Sequence, residues 1–197
     1  MSTLEERAEA RRLRALELLA ELRVLEHLSE LGTVEVTGAV AHGLVVARDI
    51  DVDVTAAVLD APGCIAVVGE LAADPRVVRI VYTNATERFG WLSFDIVCAD
   101  GGERWTIELY VNGPGASFLG WTSELASVLS RVLTPEQRHA ILELKEELAD
   151  DPQYRSMDVY RAVVDDGVRG LDAFVAWRSE HGSEELARWL PRTVPNG

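Results

Sequence analysis

Asp49-Ile50-Asp51-Val52-Asp53-Val54 carries three carboxylates at alternate positions. On an extended strand those three share one face, and Ile50, Val52 and Val54 share the other. Same-face neighbours stand roughly 6.5–7 Å apart along a strand, close enough for ionised carboxylates to repel one another in a partly dry cleft. Keeping them ionised there calls for a cation, and a set of oxygen ligands selects a hard one such as Mg²⁺. Two blander arrangements use the same residues: the solvated face of an edge strand, or a calcium loop of the D-x-D-x-D-G kind. Val54 stands where that loop requires glycine, and the β-branched neighbours suit a strand. Asp49 and Asp51 are the expected ligands, with Asp53 expected beside the site or on the surface.

A second acidic pair follows from a hairpin. Asp100-Gly101-Gly102-Glu103 joins two β-rich runs, 91–99 and 104–111. Counting back from the two glycines sets Asp100 against Glu103 and Asp95 against Glu108. Like charges directly opposite each other destabilise a sheet unless something compensates them. If this hairpin lies beside the 49–54 strand, Glu108 joins Asp49 and Asp51 on one face, and Asp95 is the other candidate third acid. Such a metal site stabilises the attacking and leaving oxygens of an in-line displacement.

Ahead of the acids, Gly38 lets the backbone approach a ligand closely, and N–H groups in such a turn can cradle phosphate. No G-x-x-x-x-G-K-[ST] occurs, so the phosphate site is not a P-loop. Ala39, His42 and Arg48 flank the same segment. His42 is either packed in the turn or in touch with phosphate. Arg48 either faces incoming phosphate or forms a surface salt bridge.

The elements that must hold these residues are legible from periodicity and punctuation. Residues 4–31 have helical spacing, with Leu18, Leu22, Leu25 and Leu28 three and four apart and Gly32 as the stop. A short strand follows at 34–37, then a helix at 62–73 stopped by Asp74-Pro75, a strand at 77–82 and a loop at 84–88. After Asn112-Gly113-Pro114-Gly115 the pattern is helical throughout, at 123–131, 134–150, 157–165, 171–181 and 184–190. Thr134-Pro135-Glu136-Gln137 has a capping threonine, proline at the first helical position and glutamine two further on. Lys145, the only lysine, lies among Glu143, Glu146 and Glu147, where pairing along a helix face accounts for it. Trp91, Trp105 and Trp121 suit packing or the stacking of a base, and 154–161 could line an acceptor cleft. The expected fold is α/β (α+β): a mixed sheet flanked by helices over 1–117, including an N-terminal helix, and a helical bundle over 118–197 packed on it.

Bulk composition narrows the partners. The 197 residues are 48 % hydrophobic, enough for a real core, and their formal charge is −14. That charge argues against holding a nucleic-acid backbone or an anionic membrane surface. Cys64 and Cys98 are too few and too far apart for a zinc ligand set, and nothing requires them to form a disulfide. The charged N-terminus and the lack of any long apolar run lead to the expectation of a cytoplasmic protein. No Ser-His-Asp or Cys-His arrangement is evident.

Gly38-Ala39, an eleven-residue step to Asp49-Ile50-Asp51-Val52, and a later Glu108 within Trp105-Thr106-Ile107-Glu108-Leu109 together resemble the DNA polymerase β-type nucleotidyltransferase superfamily. The layout is similar to that of its small antibiotic and minimal members, and the resemblance spans roughly 34–111. It implies a nucleotidyltransferase fold, two Mg²⁺ ions held by Asp49, Asp51 and Glu108, and a nucleoside triphosphate, ATP first, held in the Gly38 turn, with Ala39, His42 and Arg48 as the further candidates beside it. The activity implied is transfer of a nucleoside monophosphate to a hydroxyl of a small molecule or protein, with release of pyrophosphate. Ala39 stands where the family carries serine, so a hydroxyl that contacts phosphate is missing. That departure supports an alternative, a degenerate nucleotidyltransferase-like module that binds a partner protein as antitoxins of this superfamily do.

Overall fold

A computed structural model describes residues 2–151, 153, 155–181 and 188–192. A five-stranded mixed sheet organises the first half. Its strands are β1 (Thr33–Val36), β2 (Asp49–Thr55), β3 (Val77–Ala85), β4 (Trp91–Asp100) and β5 (Glu103–Asn112), in the spatial order β1-β2-β5-β4-β3. β2 pairs antiparallel with β1 and parallel with β5, so the acid-bearing strand is interior and the edge-strand reading is excluded. The hairpin register matches its glycine turn: Asp100 opposes Glu103 and Asp95 opposes Glu108. Gly101 and Gly102 both have positive φ, +57° and +86°, as a two-residue turn matched to strand twist demands.

Alternation decides which face of the sheet is buried. Ile50, Val52, Val54, Ile96, Ile107, Leu109 and Val111 are fully buried. They pack against α1 (Leu4–Glu21), α2 (Val24–Leu28) and α4 (Ala61–Glu70) through Leu18, Leu19, Leu28, Cys64 and Val68. Cys64 and Cys98 are buried and unbonded to each other. The helix expected over 4–31 is interrupted at Arg23, whose left-handed backbone (φ 53°) turns the chain between α1 and α2. In place of the loop expected at 84–88, β3 runs on to Ala85 and a four-residue helix, α5 (Thr86–Phe89), follows. The Asn84 carboxamide accepts from the Thr86 backbone N–H at 3.1 Å and opens that turn.

A second cluster gathers α6 (Trp121–Val132), α7 (Pro135–Glu147), α8 (Ser156–Asp165) and α9 (Leu171–His181) around Leu129, Ile141, Val163 and Phe174. Thr134 and Gln137 form the capping box that starts α7. Of the helix expected at 184–190, residues 184–187 lie outside the described residues, and 188–190 are not helical. The first turns of the chain join this second cluster too: Ala8 of α1 packs within it, and Arg7 pairs with Glu146 of α7 at 2.7 Å. Among the described residues no helix is long and apolar enough to cross a membrane.

Candidate active site

The site face of the sheet carries the residues of opposite parity to the core. Across three neighbouring strands Asp51, Glu108 and Asp95 stand directly opposite one another in one row. Asp49 and Asp53 flank Asp51 along β2, against Thr106 and Tyr110 of β5. Asp95 is exposed at the open end of the row, whereas Asp51 and Glu108 are partly buried.

Burial and mutual repulsion leave their mark on proton affinity. Loss of solvent, then the charges of Asp49 and Asp53, push the Asp51 carboxyl up to about 6. Burial, then Asp51, Asp49 and Asp95, push Glu108 up to about 7. Neither Asp49, Asp51, Asp95 nor Glu108 forms an ion pair with another described residue. An all-oxygen donor set that is unpaired and partly dehydrated fits a hard divalent cation. As they stand, no three His, Cys, Asp or Glu side chains among the described residues converge into a finished metal cage.

The glycine turn packs directly onto the acids. Gly38 opens α3 (Gly38–His42) with φ +57°, and a Cβ added there would collide with the Asp51 carboxylate. Glycine is therefore required twice over, by the left-handed backbone and by the close approach. The Ala39 backbone N–H faces that same carboxylate and favours its charged form. At the other end of α3 three successive carbonyls meet cations from α7. Arg138 donates to His42 O at 2.8 Å and Gly43 O at 3.2 Å, and Lys145 Nζ donates to Leu44 O at 2.8 Å. Cations at a helix C-terminus satisfy its orphan carbonyls and its dipole.

Lys145 is thus no member of a solvated helix face. It is 4 % exposed, lies 3.3 Å from the Tyr160 hydroxyl, and its charge is felt at Asp51. The signal was in the helical spacing, since Lys145 falls between Ile141 and Leu148 on the apolar face of α7 and the neighbouring glutamates do not. His42 is buried too, its ring edge-on to Tyr160 at 5.7 Å, and its Nδ1 has no partner among the described residues. Burial and the nearby Lys145 and Arg138 lower its pKa to about 4, so the ring is neutral near pH 7.

A cleft of about 540 Å³ runs between this face of the sheet and the C-terminal helices. Gly38, Ala39, His42, Asp49, Asp51 and Tyr160 are among its lining residues, and Glu108 and Asp95 are not. Phe89, Trp91, Tyr110, Phe118 and Trp121 give it aromatic walls. Phe89 stacks on Trp91 with ring centroids 5.6 Å apart, and Trp91 meets Tyr110 edge-on. Trp105 is buried in the sheet core instead. Ser156, Met157 and Tyr160 of α8 reach the cleft, whereas Tyr154, expected with them, lies outside the described residues. Arg48 is not brought to the site. One residue ahead of Asp49 it has the opposite parity, and its guanidinium pairs with Glu103 at 3.2 Å.

The sequence matches no family model and no curated protein. Solved structures do match. The poly(A) polymerase GLD-2, in its complex with GLD-3, superposes with a TM-score of 0.59 at 16 % identity, over 83 % of this chain and 58 % of that one. The Cid1 poly(U) polymerase bound to MgGTP superposes with a TM-score of 0.56 at 13 % identity, over 79 % of this chain and 50 % of that one. The chain therefore spans little more than half the length of these polymerases. The shared fold is that of the DNA polymerase β-type nucleotidyltransferases, as the sequence resemblance implies.

Proposed function

We propose that this chain is a metal-dependent nucleotidyltransferase that moves a nucleoside monophosphate, AMP first among the candidates, from a nucleoside triphosphate to an acceptor hydroxyl. The observation that carries the reading is a row of carboxylates whose Asp51 packs against the Gly38 turn in a cleft that also has aromatic walls. Asp49, Asp51 and Glu108 would hold Mg²⁺, which when bound neutralises the carboxylates and stabilises the attacking and leaving oxygens. The Gly38–Ala39 turn approaches the triphosphate with backbone, His42 offers a neutral ring nitrogen, and Lys145 supplies a buried positive charge nearby. Phe89, Trp91, Tyr110 and Trp121 give a base a surface on which to stack. The acceptor oxygen attacks the α-phosphorus, the bond to the bridging oxygen of the β-phosphate breaks, and pyrophosphate leaves. Glu108 and Asp95, side by side in the acid row, are the candidate acceptors for the proton that the acceptor oxygen releases.

Asp95 is exposed beside the acid row in a chain of net charge −14, which favours a small molecule or protein as acceptor, cationic rather than polyanionic. One specific observation favours a second reading, a module that binds without catalysis: Ala39 has no hydroxyl to offer phosphate. Incubation with Mg²⁺ and labelled triphosphates, with amine-bearing polyols, proteins or an oligonucleotide as acceptors, separates the two. Label transfer or pyrophosphate release is expected, lost at least a hundredfold in Asp49→Asn and Asp51→Asn, with no labelling of the oligonucleotide. Nucleotide binding that survives without any turnover would favour the non-catalytic module, and the absence of both metal and nucleotide binding would sink the enzyme reading.

A further inference from the structure

Both oxygens of the Asp53 carboxylate are held by side-chain donors. Its Oδ1 accepts from the Asn112 side-chain amide at 3.1 Å, and its Oδ2 accepts from the Thr122 hydroxyl at 2.5 Å. The Thr37 hydroxyl neighbours the same carboxylate and favours its charged form, a third and looser donor. These donors come from three separate segments: the residue before the Gly38 turn, the end of β5 and the first turn of α6. Thr37 and Asn112 are themselves buried.

The neighbouring strand repeats the arrangement. Glu35 of β1 stands directly opposite Asp53 in the ladder and accepts from the Ser123 hydroxyl at 2.5 Å. Two acids facing each other across a ladder repel. Here two consecutive hydroxyls compensate them, and they arrive on the N-terminal turn of the twelve-residue α6, whose dipole favours negative charge. Thr37, Asp53, Asn112 and Thr122 all line the cleft, and the residue next to Thr122 is Trp121 of the aromatic wall.

We infer that Asp53 is a positioning residue: it fastens both the turn that precedes Gly38 and the first turn of α6 to the strand bearing Asp49 and Asp51, and so fixes the width of the cleft. Only the identity of the cleft's ligand rests on the nucleotidyltransferase reading. The carboxylate is needed because three donors converge on it. An asparagine there would have one accepting oxygen in place of two and no charge, so one partner would have to turn from donor to acceptor and the remaining bonds would weaken.

Amide hydrogen exchange without nucleotide, paired with calorimetric titration by a non-hydrolysable ATP analogue and Mg²⁺, tests this. Asp53→Asn should lose protection at 37–42 and 121–125 together by roughly tenfold, the scale of one charged hydrogen bond, with β4 and α7 unchanged. Thr122→Val should loosen 121–125 alone, and Thr122→Ser, which keeps the donor, should restore it. Affinity for the analogue should fall roughly tenfold in Asp53→Asn and Thr122→Val and return in Thr122→Ser. Protection lost evenly across the whole chain, no local loss, or a serine variant no better than the valine one would each overturn the inference. If Asp53→Asn fails to fold, the valine and serine pair decides. Should the wild-type chain bind no nucleotide, the nucleotidyltransferase reading fails while the exchange data still judge Asp53.

Discussion

At the scale of single residues, the raised proton affinities of Asp51 and Glu108 link the site to stability. Folding lifts Glu108 from 4.5 to about 7 and Asp51 from 3.8 to about 6. A carboxyl whose pKa rises on folding holds its proton more tightly in the native state. Its favourable contribution is complete below the unfolded value and is lost as pH climbs through the folded one. Metal-free protein should therefore lose stability from these two groups as pH rises from about 4 to 7, and Glu108→Gln should flatten that loss. Mg²⁺ should act in the opposite sense, stabilising the wild type more at about pH 7.5 than at 5.5, because only ionised carboxylates hold it. Melting curves in chelator and in Mg²⁺ across that range check both, and parallel curves for wild type and Glu108→Gln would contradict the first. His42 runs the other way: its contribution is present above 6.5 and lost as pH falls through about 4. Asp49, Asp51, Glu108 and Gly38 were legible because alternation, hairpin register and turn chemistry are local rules. Arg48 was not, because its choice between phosphate and Glu103 depends on the face that parity gives it. Lys145 was misjudged because its charged neighbours in sequence are not its neighbours in space.

At the scale of elements, the β4–β5 hairpin carries the third acid, and its turn sets the register. A slip of one residue would send Glu108 to the buried face and Ile107 to the site. Gly101 and Gly102 hold the turn through backbone conformation alone, since a Cβ at either position would meet nothing within 4 Å. Gly101→Ala and Gly102→Ala should each cost roughly 1 kcal/mol, the penalty of placing an L-residue in left-handed backbone. Urea unfolding should show it as a lower midpoint with an unchanged slope. The long strands and helices follow their periodicity closely. The five-residue α3 and four-residue α5 do not announce themselves in the sequence, because so few residues cannot complete an amphipathic repeat. What fixes α3 is distant: Arg138 and Lys145 on α7 take the carbonyls at its end.

At the scale of the whole molecule, two hydrophobic clusters correspond to the sheet half and the helical half, yet one helix belongs to both. Ala15, Leu18 and Leu19 of α1 sit in the first cluster, and Ala8 in the second. Arg7 and Arg11 reach Glu146, and Glu5 meets His139 on the same α7. The outline of strands followed by helices is plain in the sequence. The stitching of the two halves by α1 is not, because the alanine and arginine that carry it look like any solvated first turn. α1 therefore behaves as a tie-beam, and loss of either half exposes apolar surface on a helix the other half needs. Differential scanning calorimetry should accordingly record a single endotherm rather than two, with calorimetric and van't Hoff enthalpies in agreement. Heat, in other words, should not find a state in which the cleft has lost one wall and kept the other.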